Sequence, residues 1–237
     1  MIRTLWKPSP FFKTRGKYPL DMVIIHHIGS KDGKLYSMSG TITWFTSTDA
    51  HKNPKTGVIE NQVSAHYAIP RAPQPDYDIV QFVKDTDTAY HAGVSQWTVN
   101  GKVRNNINNY SIGIELEGDG NLVEYTDFQY TTLIELLSTL ISKYKISGNQ
   151  IIGHQDIAPT RKVDPGQKFD WDRIYRGIGP SVPVPDSAPT PPVSVTPPPV
   201  VMVPDDQFHM GGGTNKDGKS GNFIDTILKL FMRVFSR

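Results

Sequence analysis

The sequence predicts an α/β domain in which a single mixed central β-sheet is flanked by helices. Strand-like and helix-like patterns alternate from Met22 to about Ile178, which is the signature of strands and helices sharing one core. One long stretch repeats its apolar residues with a helical period, and past Gly179 the composition changes abruptly. The folded domain is therefore expected over residues 1–178, followed by a linker over 179–221 and a cationic amphipathic helix over 222–237.

Five short runs read as strands: "MVIIHHI" (Met22 to Ile28), "VSAHYAI" (Val63 to Ile69), "DIVQFV" (Asp78 to Val83), "SIGIEL" (Ser111 to Leu116) and "QIIGH" (Gln150 to His154). The clearest helix is "TDFQYTTLIELLSTLISKYK". Thr126 and Gln129 have capping-box spacing, and Leu133, Leu136, Leu137, Leu140, Ile141 and Tyr144 form one stripe. A second helix is expected around "GTITWFTSTDAHKN", against the weak helical preference of its threonines.

Beyond the domain, "PSVPVPDSAPTPPVSVTPPPVVMVP" carries ten prolines in 25 residues and suits an extended polyproline spacer rather than a helix or inner strand. The Gly-rich "GGGTNKDGKSG" follows as a flexible joint. In "NFIDTILKLFMRVFSR" the polar residues fall on one narrow helical face that includes Lys229, Arg233 and Arg237, with apolar residues covering the rest. Such a helix is expected to contact a membrane surface, a second copy, its own domain or a larger particle such as a virion.

Several function classes are excluded or left unsupported by composition. The 37% hydrophobic content is enough for a core, and a net charge of +2 gives no reason to invoke nucleic acid. With no cysteine there is no disulfide, no thiolate metal site and no cysteine nucleophile, so any zinc must use histidine and carboxylate. Pro8, Pro10 and Lys13 interrupt what a secretory signal would need as an apolar run, and no run of apolar residues reaches membrane-spanning length.

Four strand-associated histidine motifs remain: "IIHHIG", "SAHYA", "AYHAG" and "IIGHQD". A lone core histidine is usually a satisfied polar group, but several at strand ends can converge on one metal. His26 and His27 are adjacent on a strand and point to opposite faces, so only one of them can look into a given site. His154 and Asp164 sit ten residues apart in "GHQDIAPTRKVDPG", where Pro159 and Pro165 stiffen a loop that could bring them together; Asp156 is a rival carboxylate. Two histidines and one carboxylate leave an open fourth position on zinc, as a hydrolytic site needs.

The motifs "VIIHHIG", "SAHYAI", "AYHAG", "NNYSIGIELEG" and "GHQDIAPTRKVDPGQKFDW", in this order and approximate spacing, resemble those of the type 2 N-acetylmuramoyl-L-alanine amidases. These are zinc amidases related to phage lysozyme-amidases and peptidoglycan-recognition proteins, and the resemblance spans roughly Tyr18 to Ile178. It implies zinc held by His26, with His27 the lesser choice, by His154 and by Asp164. It also implies Glu115 as the catalytic acid and base, Lys162 as the oxyanion donor, and His91 at the cleft wall in contact with substrate. Glu117 shares a strand face with Glu115 under strict alternation, and Ala65 stands where some relatives have a tyrosine. "PRAPQPDYD" replaces the tight turn common in the family, and the segment from Ser30 to Gln62, where stem-peptide specificity usually resides, carries no readable specificity.

The implied activity is hydrolysis of the amide between the lactyl group of N-acetylmuramic acid and L-alanine, with peptidoglycan as partner. Linker and tail point toward a phage-type lysin, made in the cytoplasm without a signal peptide and acting on the wall after release at lysis or from a virion. A wall-recycling bacterial amidase and a peptidoglycan-binding module without catalysis are the alternatives.

Overall fold

The computed structural model describes residues 1–179; the linker beyond Gly179 and the amphipathic helix expected over 222–237 lie outside the described residues. Among these, six strands form the central sheet: β1 (Thr4–Trp6), β2 (Met22–His27), β3 (Tyr67–Ile69), β4 (Ile79–Gln81), β5 (Ser111–Leu116) and β6 (Ile151–Gly153). Their spatial order is β1-β4-β3-β5-β2-β6. The β3/β4 pair is antiparallel and the other neighbours are parallel, so the sheet is mixed as expected.

The five expected strands are present, most of them shorter than their apolar runs, and β1 is an addition. Three residues at an exposed edge give β1 no periodicity to read; it is anchored by Arg3, whose guanidinium lies 2.7 Å from Asp78 Oδ1. The run ending at His154 is a correction: β6 stops at Gly153, and His154 opens the single-turn α3 (His154–Ile157). Likewise the helix expected from Gly40 to Asn53 is α1 (Met38–Thr46), followed by a separate 3₁₀ turn at Asp49–His51. Its threonines are accommodated because Thr41, Thr43 and Thr46 each donate to the carbonyl four residues back.

The long helix α2 (Asp127–Tyr144) starts as its sequence dictates. Thr126 Oγ1 accepts from Gln129 N at 3.2 Å and Gln129 Oε1 accepts from Thr126 N at 3.1 Å, satisfying two otherwise orphaned amides. Leu133, Leu136, Leu137 and Leu140 bury against Val23 and Ile25 of β2 and Ile112, Ile114 and Leu116 of β5. A last helix, α4 (Trp171–Ile178), capped by Asp170, adds Ile174 to the same core. The opposite face of the sheet carries two smaller clusters, one around Trp44, Phe45 and Phe82 and one around Ile24, Ile107 and Ile152. Among the described residues no helix is long and apolar enough to cross a membrane.

Because Leu137 is fully buried at the centre of the α2 stripe, Leu137→Ala is expected to lower stability by about 2–5 kcal/mol through lost burial and a residual cavity. Urea denaturation of the full chain measures it.

Candidate active site

Strand alternation decides which side chains face the cleft. Val23 and Ile25 of β2, and Ile112, Ile114 and Leu116 of β5, point at α2, so His26 and Glu115 emerge on the other face. The parallel register sets Glu115 beside His26 and Gly153 beside Ile25, which brings His154 alongside His26 from the next strand. All three lie at or just past the carboxyl ends of parallel strands, where open α/β sheets place their ligands.

The carboxylates of Glu115 and Glu117 and the adjacent histidines His26 and His27 are told apart by their partners. Glu117 is consumed by backbone: Oε1 accepts from Met38 N at 2.7 Å and Oε2 from Arg71 N at 2.9 Å. Glu115, 4% exposed, has an Oε2 with no hydrogen-bond partner. His27 accepts from Gly120 N at 3.2 Å and lies 3.6 Å from Asp119, at the rim of the cleft.

The loop from Gly153 to Gly166 folds back onto its own start. Gln155 N donates to Asp164 O at 2.9 Å, and a Cβ on Gly153 would lie 2.7 Å from the Pro165 ring, so only glycine lets the two ends approach this closely. Asp156 Oδ2 accepts from Gly153 N at 2.7 Å, the local loop bond its position suggested. The outcome is a triangle of donors: His26 Nδ1 is 2.9 Å from His154 Nδ1, and each is 3.0 Å from Asp164 Oδ2. Among the described residues this is the histidine and carboxylate group able to hold a metal ion.

The donor chemistry fits zinc. Three ligands on a tetrahedral ion with bonds of about 2.0 Å stand about 3.3 Å apart, close to the observed edges. Burial, aided by the charge of His154, pulls the His26 imidazolium down to about 4, so the ring is neutral at neutral pH. Burial works against the Asp164 anion, but His154 and His26 outweigh it and hold the carboxyl well below its ordinary range. Neutral imidazoles and an ionised carboxylate are the forms a metal requires.

Lys162 lines two adjoining cavities of about 210 and 260 Å³ that share it with His154 and Arg161. Burial draws its ammonium below the ordinary value, against the attraction of Asp164. Arg161 has a structural task, donating to Ala92 O at 2.9 Å and Val94 O at 2.8 Å. His91, 8% exposed, lines the second cavity, and its ring nitrogens lie 3.0 Å from His26 Nε2 and 3.2 Å from Ser111 Oγ.

Residues 16–167 match the family described as N-acetylmuramoyl-L-alanine amidase. The chain belongs to this amidase family. It is 38% identical over 180 residues to the 1,6-anhydro-N-acetylmuramyl-L-alanine amidase AmpD of Citrobacter freundii, covering 73% of this chain and 89% of that protein. The crystal structure of a selenomethionine derivative of AmpD superposes with a TM-score of 0.61 at 35% identity, over 76% of this chain and 96% of that one. AmiD from E. coli, solved with anhydro-N-acetylmuramic acid-L-Ala-D-gamma-Glu-L-Lys, gives a TM-score of 0.53 at 29% identity, over 71% of this chain and 62% of that one.

Within this amidase domain the cleft wall also draws on Ser30, Tyr36 and Asp119, which the motifs do not single out. Ser30 Oγ donates to Asp119 Oδ2 at 2.6 Å across 89 residues of sequence, and nothing local announces such a pairing.

The rival carboxylates separate by experiment. Asp156→Ala is expected to cost about 0.5–2 kcal/mol as a lost cap while zinc uptake is retained. Asp164→Ala is expected to abolish zinc uptake in a folded chain. Metal content after dialysis, read beside thermal unfolding, checks both.

Proposed function

We propose that this amidase is zinc-dependent and hydrolyses the lactyl–L-alanine amide of wall fragments released from peptidoglycan. The observation that carries the reading is the donor triangle of His26, His154 and Asp164, with Glu115 in register beside His26 and Lys162 in the loop between the last two donors. Zinc held by those three residues would supply Lewis acidity, bringing the pKa of water from about 15.7 to about 7.

Glu115 moves the proton. Burial and the negative charge of Asp164 push its carboxyl up, while Lys162 pulls it down; a cation held by the donor triangle would pull the same way and leave the carboxylate able to accept a proton. It takes the proton of the attacking water and delivers it to the departing nitrogen of L-alanine as the C–N bond breaks. Lys162 donates to the carbonyl oxygen as negative charge develops there. The products are a muramyl lactate carboxylate and a stem peptide with a free amine. The two cavities meeting at His154 and Lys162 suit a substrate that extends both ways from the scissile bond, sugar on one side and peptide on the other.

The relatives support the wall-recycling alternative better than the lysin reading, which rested on the linker and tail outside the described residues. The AmpD relatives are named for a 1,6-anhydro substrate, and the AmiD complex holds an anhydromuramyl peptide. An anhydro ring ties up the sugar's own C1, so it marks a chain end or a freed fragment. Contact of residues 222–237 with a membrane or a virion has no support from these relatives.

Parallel digestion of an anhydromuramyl peptide and of intact sacculi, with zinc-loaded and chelator-treated protein, tests the reading by product mass. The zinc-loaded protein is expected to release peptides with an L-alanine N-terminus, faster from the fragment. Equal rates on sacculi would return the lysin reading, and no such peptide from either substrate would end the amidase one. Lys162→Ala is expected to lower kcat by about 10²–10³ through the lost oxyanion donor, and Glu115→Gln by about 10²–10⁴ through the lost proton carrier.

A further inference from the structure

Both histidines of the donor triangle are supported from behind by one dipeptide, His91-Ala92, and the hydrogen bonds around it have a single consistent direction. Ser111 Oγ lies 2.7 Å from Ile107 O and donates its proton there, which leaves the hydroxyl oxygen as acceptor toward His91 Nε2 at 3.2 Å. His91 therefore carries hydrogen on Nε2, and its bare Nδ1 accepts from His26 Nε2 at 3.0 Å. The remaining nitrogen of His26, Nδ1, is then a lone pair aimed at the triangle. One residue on, Ala92 O accepts from His154 Nε2 at 3.1 Å, which leaves His154 Nδ1 bare toward the same point.

Two further features hold the dipeptide in place. Asn108 Oδ1 accepts from both His91 N, at 3.0 Å, and Ala92 N, at 2.7 Å. The His91 ring packs against Gly113 in the middle of β5, where a Cβ would come within 2.4 Å of the ring carbon Cγ. A side chain at position 113 would push the ring out of line with His26, so this glycine is required by close approach rather than by backbone angle.

We propose that His91 is a positioning residue which, with the Ala92 carbonyl, selects the tautomer and orientation of both histidine donors, through the chain Ile107 O, Ser111, His91, His26. The inference rests on the zinc reading above but concerns groups that hold the donors rather than the donors themselves. Outer hydrogen-bond partners of this kind typically change metal affinity by about 10–100-fold when removed.

The test has two arms. Long-range ¹H–¹⁵N NMR of the metal-free full chain is expected to show His91 with hydrogen on Nε2 and a bare Nδ1, and His26 and His154 with hydrogen on Nε2; a proton on Nδ1 of His91, or a bare Nε2 on His26, overturns the proposal. In the second arm, zinc affinity is measured by chelator competition. His91→Phe, which keeps a ring but cannot accept, is expected to bind zinc about 10–100-fold more weakly, while His91→Gln, whose amide oxygen can accept from His26, recovers part of the loss. An unchanged affinity in His91→Phe, or an equal loss in both variants, overturns the hydrogen-bond role in favour of packing. If the wild-type chain takes up no zinc, the metal reading itself fails, and the NMR arm still decides the relay without any substitution.

Discussion

The parallel register between β2 and β5 is the constraint on which the rest of the molecule depends. It pairs His26 with Glu115, and strand alternation then sends their neighbours Ile25, Ile114 and Leu116 to the opposite face. One residue of slip would exchange the two sets, burying histidine and glutamate under α2 and baring the aliphatic core to the cleft. The leucine stripe of α2 holds the register by burying apolar area on one side only. The chemistry on the other face is positioned by packing that it does not share.

That arrangement tolerates an expensive polar layer. His26, His66, His91, His154, Glu115 and Asp164 are all buried, and each has a partner within the protein except Glu115 Oε2. A buried oxygen left unmade costs about 1–3 kcal/mol, which the folded core must offset. His66 illustrates the ordinary outcome for a buried histidine: burial and the nearby Arg15 charge lower its pKa to about 3, and its ring accepts from Gly113 N at 3.0 Å. Glu115 differs in keeping one carboxylate oxygen without a protein partner on the face of the sheet that carries His26.

Much of this was legible in the residues. The period of α2, its Thr126–Gln129 cap and the alternation in β2 and β5 are local signals, and local interactions decide them. The convergence of His154 and Asp164 could be anticipated from their shared stiff loop, whereas the roles of Glu115 and Lys162 came from resemblance and remain proposals. Two local signals went unread in the sequence: Asp170 before Trp171, Ile174, Tyr175 and Ile178 marks α4, and Asn100-Gly101, both with positive φ, turns the Gln96–Val99 and Lys102–Asn105 hairpin. What could not be read is long-range. The separation of Glu115 from Glu117 depends on amides from two distant segments, and the Ser111–His91–His26 line joins three segments with no sequence relation.

The Glu117 carboxylate has an effect beyond that separation. By accepting from the amides of Met38 and Arg71 it ties the first turn of α1 to the proline-rich stretch after β3. Because the tie uses main-chain N–H groups, it is indifferent to the side chains on either segment. Both segments are thus free to diversify while their spacing stays fixed, with proline at position 38 or 71 the one residue type the tie forbids.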